Sequence, residues 1–438
     1  VPAIPSLTSA DVPWRCPECH SALVTEHDGE PWCDRCEWNL DAAPASNAPS
    51  RVDRSLRRLD HKAGYDLSTT LFRTLAGKKA QPATVSLSEI ALVGMTALIL
   101  ALLIGMTAVG LHLVITASLL GKALGLLLVA VAVVLRPRLG TARKVLSDAD
   151  TITEAQAPAL FAVVREVAAK VGAPMPHTIA TTSRWEASTL VVGLRRRRIL
   201  LLGLPFWTVL RPQERVAVLA HELGHFVNGD GSRRLALQPA VTVFGTIADL
   251  IDPRQVLAEV RDRVNGNVRP SAALLAGLVL LPVVNTVRGA LLLLHMGTHA
   301  LAARSSQRAE YYADDLAAQA GGSTAVVGLL DVLLLTSRLK TRIGTRARQK
   351  AGVIGWRETV ENTRAEYATS AGQLRQLSIR EDASIFAAHP QPGLRVRMIQ
   401  AAPHREPAVV LTEVQAAAVD AELAKYEERY RREIAEHW

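Results

Sequence analysis

Residues 220–230 read "AHELGHFVNGD", with two histidines four apart and a glutamate beside the first. The surrounding segment, "LRPQERVAVLAHELGHFVNGD", carries helix punctuation at both ends. Pro212 suits a first turn, Glu214 faces the positive end of the helix dipole, and Gly229 suits a stop. On such a helix His221 and His225 are one turn apart and project from one face, so both imidazoles reach a single metal ion. Glu222 is rotated by about 100° from His221, placing it to take a proton from a water that the metal activates rather than to ligate the metal. A histidine pair at this spacing also occurs on ordinary polar helix faces. A third ligand is therefore the deciding feature.

"RAEYYADD" (308–315) supplies the candidate, with Glu310 as third ligand and Asp314 one turn on. Asp314 suits a carboxylate that accepts from the outer nitrogen of a ligand histidine and fixes its ring. Taken alone the segment equally describes a solvated charged face. A rival pair, His295 and His299 in "HMGTH", lacks an adjacent glutamate and ends an apolar stretch, which favours packing.

All four cysteines of the 438-residue chain fall early, Cys16 and Cys19 in one C-x-x-C and Cys33 and Cys36 in a second, thirteen residues on. Two such knuckles aim four thiolates at one tetrahedral zinc, the pattern of a small zinc ribbon. A redox dithiol pair or a rubredoxin-like iron site is the alternative. No cysteine is left for a disulfide framework, which fits a reducing compartment.

The chain is 49% hydrophobic but 4% aromatic, with a mean hydropathy of +0.16 and a net charge of +9. Arginine and lysine crowd beside apolar runs, in 51–79 and 136–144, which points to a membrane surface rather than nucleic acid. The acidic ribbon, with Glu18, Glu26, Asp28, Glu30, Asp34 and Glu37, also argues against a nucleic-acid partner. From Ile90 to Leu135 the only charge is Lys122. That run accommodates two spans of roughly 20 residues, with the turn expected near Gly110–Thr116 and His112 in or beside it. Basic clusters flank both outer ends, which puts both in the cytoplasm. No signal peptide is expected, because the first apolar run lies behind the cysteines. Two further apolar stretches, 235–251 with Pro239 and Asp249 and 272–294 with Arg288, read as inserted helices, the first of doubtful reach across a bilayer.

Taken together, H-E-L-G-H with Asp230 after it, E-x-x-A-D at Glu310–Asp314, and "IFAAHPQPGLRVRMI" with His389, Pro390 and Arg395 resemble the HtpX heat-shock protease and CAAX prenyl endopeptidase family of membrane zinc metallopeptidases. The resemblance covers residues 90–400. It implies a mainly α membrane protein with an α+β zincin-type catalytic domain, an edge-strand hairpin and inserted transmembrane helices, here with the small N-terminal zinc ribbon added. The hairpin maps to "STLVVGLRRRRILLLGL", with Arg195–Arg198 at its turn. At its start, Glu186-Ala187 stands where HtpX-like members often show Asn-Ala, so a substrate contact from Glu186 departs from the family pattern.

The expected organisation is a ribbon (1–45), a basic linker (46–88), a transmembrane hairpin (89–136), a metallopeptidase domain (137–400) and a C-terminal amphipathic helix (401–438). The expected site holds a catalytic zinc on His221, His225 and Glu310, with Glu222 as general base. Asp314 backs a ligand, His389 donates to the oxyanion, and Arg395 anchors its loop or contacts substrate. The four cysteines take a structural zinc. The expected partners are protein or peptide substrates, membrane or misfolded proteins among them, the lipid bilayer, and an unknown partner for the ribbon. The expected location is the plasma membrane, multi-pass, with the catalytic domain and ribbon facing the cytoplasm. A non-catalytic membrane adaptor with the ribbon as its binding head is the competing function.

Overall fold

The computed structural model describes residues 15–24, 30–44, 51–82, 85–137, 141–193, 195–252, 272–387 and 389–438. Glu26 and Asp28 of the ribbon, residues 45–50 at the boundary of ribbon and linker, and the connection 253–271 between the inserted segments lie outside the described residues.

The chain is mostly helical, with one four-stranded sheet. Within the 46–88 linker, Arg51–Leu75 forms helix α1. It is held by burial of Ser68 and Leu71 and by a bond that Gln307 Nε2 donates to Ser68 Oγ at 3.1 Å. The apolar run forms α2 (Leu87–Thr116) and α3 (Leu119–Leu135). The turn is therefore at Ala117–Ser118, later than expected, and His112 lies within α2. Gly110 does not break the helix because it is a crossing point. A Cβ on Gly110 would meet the Gly125 carbonyl oxygen at 2.8 Å, and one on Gly125 would meet the Gly110 oxygen at 2.5 Å. Much of the remaining surface of this pair is exposed leucine, isoleucine and valine, such as Leu102, Ile104, Leu111, Ile115 and Leu126, an apolar outer face.

The short helix α4 (Ala142–Val145) precedes strand β1 (Asp150–Ile152), helix α5 (Pro158–Val171) and strands β2 (Thr178–Thr182), β3 (Ala187–Val192) and β4 (Arg197–Gly203). The sheet order is β1-β2-β4-β3. β1 is antiparallel to β2, β2 parallel to β4, and β3 antiparallel to β4. The β3–β4 hairpin thus leaves β3 at one edge, and Arg195 and Arg196 lie in its turn.

After α6 (Leu204–Val209) comes α7 (Pro212–Asn228), which starts and stops where its punctuation says. Every residue of α7 from Glu214 to Gly224 is buried. Buried Glu214 is compensated by two 2.6 Å bonds from Arg364, and it accepts the Arg211 N–H at the helix start. Helix α8 (Asp230–Leu250) follows the left-handed Gly229. Then α9 (Ala272–Gly321) runs unbroken for 50 residues, about 75 Å at 1.5 Å per residue. One helix therefore carries both the apolar 272–294 segment and the Glu310 segment. Among the described residues, two stretches are long and apolar enough to cross a membrane, Leu87–Thr116 and Leu280–Gly321. Neither α8 nor the 17-residue α3 is among them.

Helices α10 (Ser323–Leu334), α11 (Thr336–Arg348), α12 (Val353–Tyr367), α13 (Ala371–Glu381) and α14 (Pro392–Ala401) complete the body. The C-terminal helix α15 (Glu413–His437) begins later than residue 401 and packs on the body through its apolar face. Val419, Leu423, Tyr430 and Ile434 sit in the main core with α5, α7 and α10. Glu422 accepts the Ala159 and Leu160 N–H groups at the start of α5, at 2.7 and 3.0 Å, satisfying donors that the helix itself leaves unpaired.

Candidate active site

Helices α7 and α9 cross where Gly224 meets Ala313. A Cβ on Gly224 would lie 3.3 Å from the Ala313 Cα, so glycine lets the two backbones approach. This close crossing brings His221 and His225 beside Glu310. Their ligand-type atoms all lie within 4.8 Å of one another. His221 Nε2 is 3.5 Å from one Glu310 oxygen and His225 Nε2 is 3.6 Å from the other. Donors on a tetrahedral zinc with bonds of about 2.1 Å are roughly 3.4 Å apart, so the spacing fits such an ion.

Both inner nitrogens are free to face that centre because the outer ones are engaged. Asp314 Oδ1 is 3.0 Å from His221 Nδ1, and Asp230 Oδ2 is 2.8 Å from His225 Nδ1. Asn228 Nδ2 in turn donates to Asp230 Oδ1 at 2.5 Å. Carboxylates in those positions fix the tautomer and orientation of a ligand ring. The charge balance also suits a cation, because Glu222, Asp230, Glu310 and Asp314 surround two imidazoles. Burial opposes charge on His221, but bonds to Asp314 and Glu310 outweigh it and raise its pKa to about 10. His225 is raised too, against burial, by Asp230 and Glu310. In each case the surroundings favour positive charge at the imidazole.

Arg395 lies beside the ligand His221. It is buried and donates twice to Asp314, from Nε at 2.8 Å and from NH2 at 2.6 Å, and its NH2 lies 3.4 Å from His221 Nδ1. Burial works against its charge, yet Asp314 holds the guanidinium pKa above its ordinary value. Breaking such a buried pair by removing one partner costs about 3–5 kcal/mol. His389, half exposed, has its Nδ1 2.5 Å from Glu310 Oε2. Glu186 is not drawn into this cluster. Its carboxylate is exposed and faces Arg184 at 3.6 Å.

Glu222 is buried and has a partner that the motifs did not reveal. Thr189 Oγ1, on edge strand β3, lies 3.0 Å from the Glu222 carbonyl oxygen and 3.1 Å from its Oε2. The hydroxyl donates across the strand–helix gap and ties the carboxylate to the edge. Asp230 was likewise visible only as part of a motif, without a role. Its signal is its position, directly after the Gly229 stop and five residues past His225.

The rival histidines take packing positions. His295 Nδ1 bonds the Val241 carbonyl at 2.9 Å, and both rings of the pair contact Phe386, with centroids 5.4 and 4.6 Å away. The four cysteines converge at the other candidate centre. Cys16 and Cys36, and Cys19 and Cys33, have sulfurs 3.4 Å apart. Left-handed His20 and Glu37 turn the two knuckles toward one centre.

A helical His-Glu-x-x-His facing a glutamate on a second helix is the arrangement of a metal-dependent peptidase. The comparison with known families agrees, for the model of Peptidase family M48 matches residues 154–402, more than half of the chain. The chain belongs to that family of metallopeptidases. It is also similar to Protease HtpX of Chromohalobacter salexigens, 25% identical over 270 residues that span 61% of this chain and 79% of that protein. No solved structure matches significantly. That relative and the two apolar helices together suggest a membrane protein.

Proposed function

We propose that the chain is a membrane-embedded zinc endopeptidase that cleaves membrane or misfolded proteins from the cytoplasmic side. The observation that carries this reading is the convergence of His221 Nε2, His225 Nε2 and Glu310 within 4.8 Å, beside a buried Glu222 held from an edge strand. Those three residues hold the ion, and zinc bound there supplies Lewis acidity that acidifies water and polarises a carbonyl. Asp314 and Asp230 keep the two imidazoles in the tautomer that presents Nε2. An extended substrate pairs its main chain with the free edge of β3, which aligns a peptide with little sequence preference. Glu222 takes the proton of the attacking water as the new C–O bond forms. It then delivers that proton to the leaving amine as the C–N bond breaks. His389, at the mouth of the site, donates to the oxygen that gains charge. Quality control of membrane proteins is the role this chemistry serves best.

Glu222→Gln tests the mechanism because it keeps the shape of the side chain and removes its basicity. We expect bound zinc to be retained, by metal analysis, while turnover of an unfolded test protein falls by about 10²–10⁴-fold. Wild-type turnover in that variant would discard Glu222 as the base.

A further inference from the structure

The cysteine ribbon is not displayed on a tether. Its second knuckle is seated on α13 and α14. Trp32 and Leu40, buried to within 2% of complete, form a cluster with Ile379 of α13 and Leu394 of α14. Buried Arg380 donates to the Glu30 carbonyl at 2.5 Å and the Ala42 carbonyl at 3.2 Å, bracketing the knuckle from both sides. Gln376 donates to the Asp34 carbonyl at 2.8 Å and Gln373 to its carboxylate at 3.1 Å, while Arg397 pairs with Glu37. Most of these docking residues lie within a few positions of Cys33 or Cys36, and Val24 of the first half packs against the same cluster.

The same two helices reach the metal site. On α14, Leu394 and Arg397 are three apart and face the ribbon, whereas Arg395, turned by about 100° from Leu394, faces Asp314 and His221. α13 and α14 are locked together, since a Cβ on Gly393 would fall 1.9 Å from the Arg375 carbonyl oxygen. A body of some thirty residues with so small a core keeps its shape only while its metal is bound.

We propose that the ribbon is a positioning element for the peptidase site. By holding α13 and α14, it keeps Arg395 clamped on Asp314 and so keeps His221 aimed at the metal. The inference rests on the peptidase reading given above. Its test uses the full-length chain in detergent and a short quenched peptide that the wild type cleaves. A Cys33→Ser/Cys36→Ser variant removes the ribbon metal. We expect kcat to fall about tenfold to hundredfold with KM within about twofold, and the site metal to be lost at correspondingly lower chelator concentration. A recruiting head would leave turnover of a short peptide unchanged. Arg380→Met keeps all four cysteines and loosens only the docking, and both readouts should move the same way but less far. The proposal is overturned if short-peptide kcat and metal retention are unchanged in the cysteine variant. If that variant does not fold, unchanged values in Arg380→Met overturn it alone. Absence of any cleavage by the wild type would instead sink the peptidase reading, and chelator titration would still decide the positioning role.

Discussion

At the scale of single residues, the site is a set of ring and carboxylate orientations, each fixed by a neighbour from a different element. His221 is set by Asp314, which is set by Arg395; His225 is set by Asp230, which is set in part by Asn228. Glu222 is set by Thr189. A hydrogen bond to a charged group contributes about 1.5–3 kcal/mol, and part of that is expressed as orientation of the general base. We therefore expect Thr189→Val, which keeps the side-chain shape, to lower kcat about tenfold while KM and bound zinc hold. Thr189→Ser should recover most of the loss. A fully active valine variant, or a serine variant as slow as valine, would remove the hydroxyl from the mechanism. Of these residues, the histidines, Glu222, Glu310 and Asp314 were legible because their spacing on a helix has a physical meaning. Thr189 was not, since a threonine in a strand is expected on propensity alone and its partner lies 33 positions away.

At the scale of elements, close helix crossings do much of the positioning, and glycine marks them. Gly224 lets α7 reach α9, and Gly110 and Gly125 let α2 reach α3. From sequence, Gly110 looked like part of a turn, because glycine punctuates turns as readily as it permits backbone contact. The pattern of charge could not separate those uses, whereas the partner glycine on the facing helix does. Gly125→Val should therefore wedge α2 from α3. Its first added carbon already meets the Gly110 carbonyl oxygen at 2.5 Å, well inside contact distance. We expect a lower thermal transition in detergent, while a valine at solvent-facing Gly352, which has open space, should leave it unmoved. Equal transitions in the two variants would mean that this crossing does not hold the hairpin. The C-terminal helix keeps its charged face outward, while Ala416, Val419, Leu423, Tyr430 and Ile434, spaced along its 25 residues, join the core as a narrow stripe.

At the scale of the whole molecule, one 50-residue helix joins the apolar surface to the candidate metal site, so the apolar 272–294 segment and Glu310 are placed by the same element. Glu89, buried in the first turn of α2, adds a second tie. Ser305 of α9 donates to it, and Arg233 of α8, 3.5 Å from Glu89, reaches Asp230 at 4.0 Å. Composition could foresee the apolar hairpin but not these ties, which join residues up to 216 positions apart. Orientation follows from charge. Arg54, Arg57, Arg58, Lys62 and Arg73 precede α2, and Arg136, Arg143 and Lys144 follow α3, while the Ala117–Ser118 turn has only Lys122 near it. Under the function proposed above, the positive-inside rule predicts the body and the ribbon on the cytoplasmic side, where thiols stay reduced. The four native cysteines make this directly measurable. In intact cells an impermeant maleimide should label Ser118→Cys at once, and the native cysteines should react only after lysis and metal removal. Protection of Ser118→Cys together with labelling of the ribbon in intact cells would invert the topology, and with it the side of the membrane from which substrates are drawn.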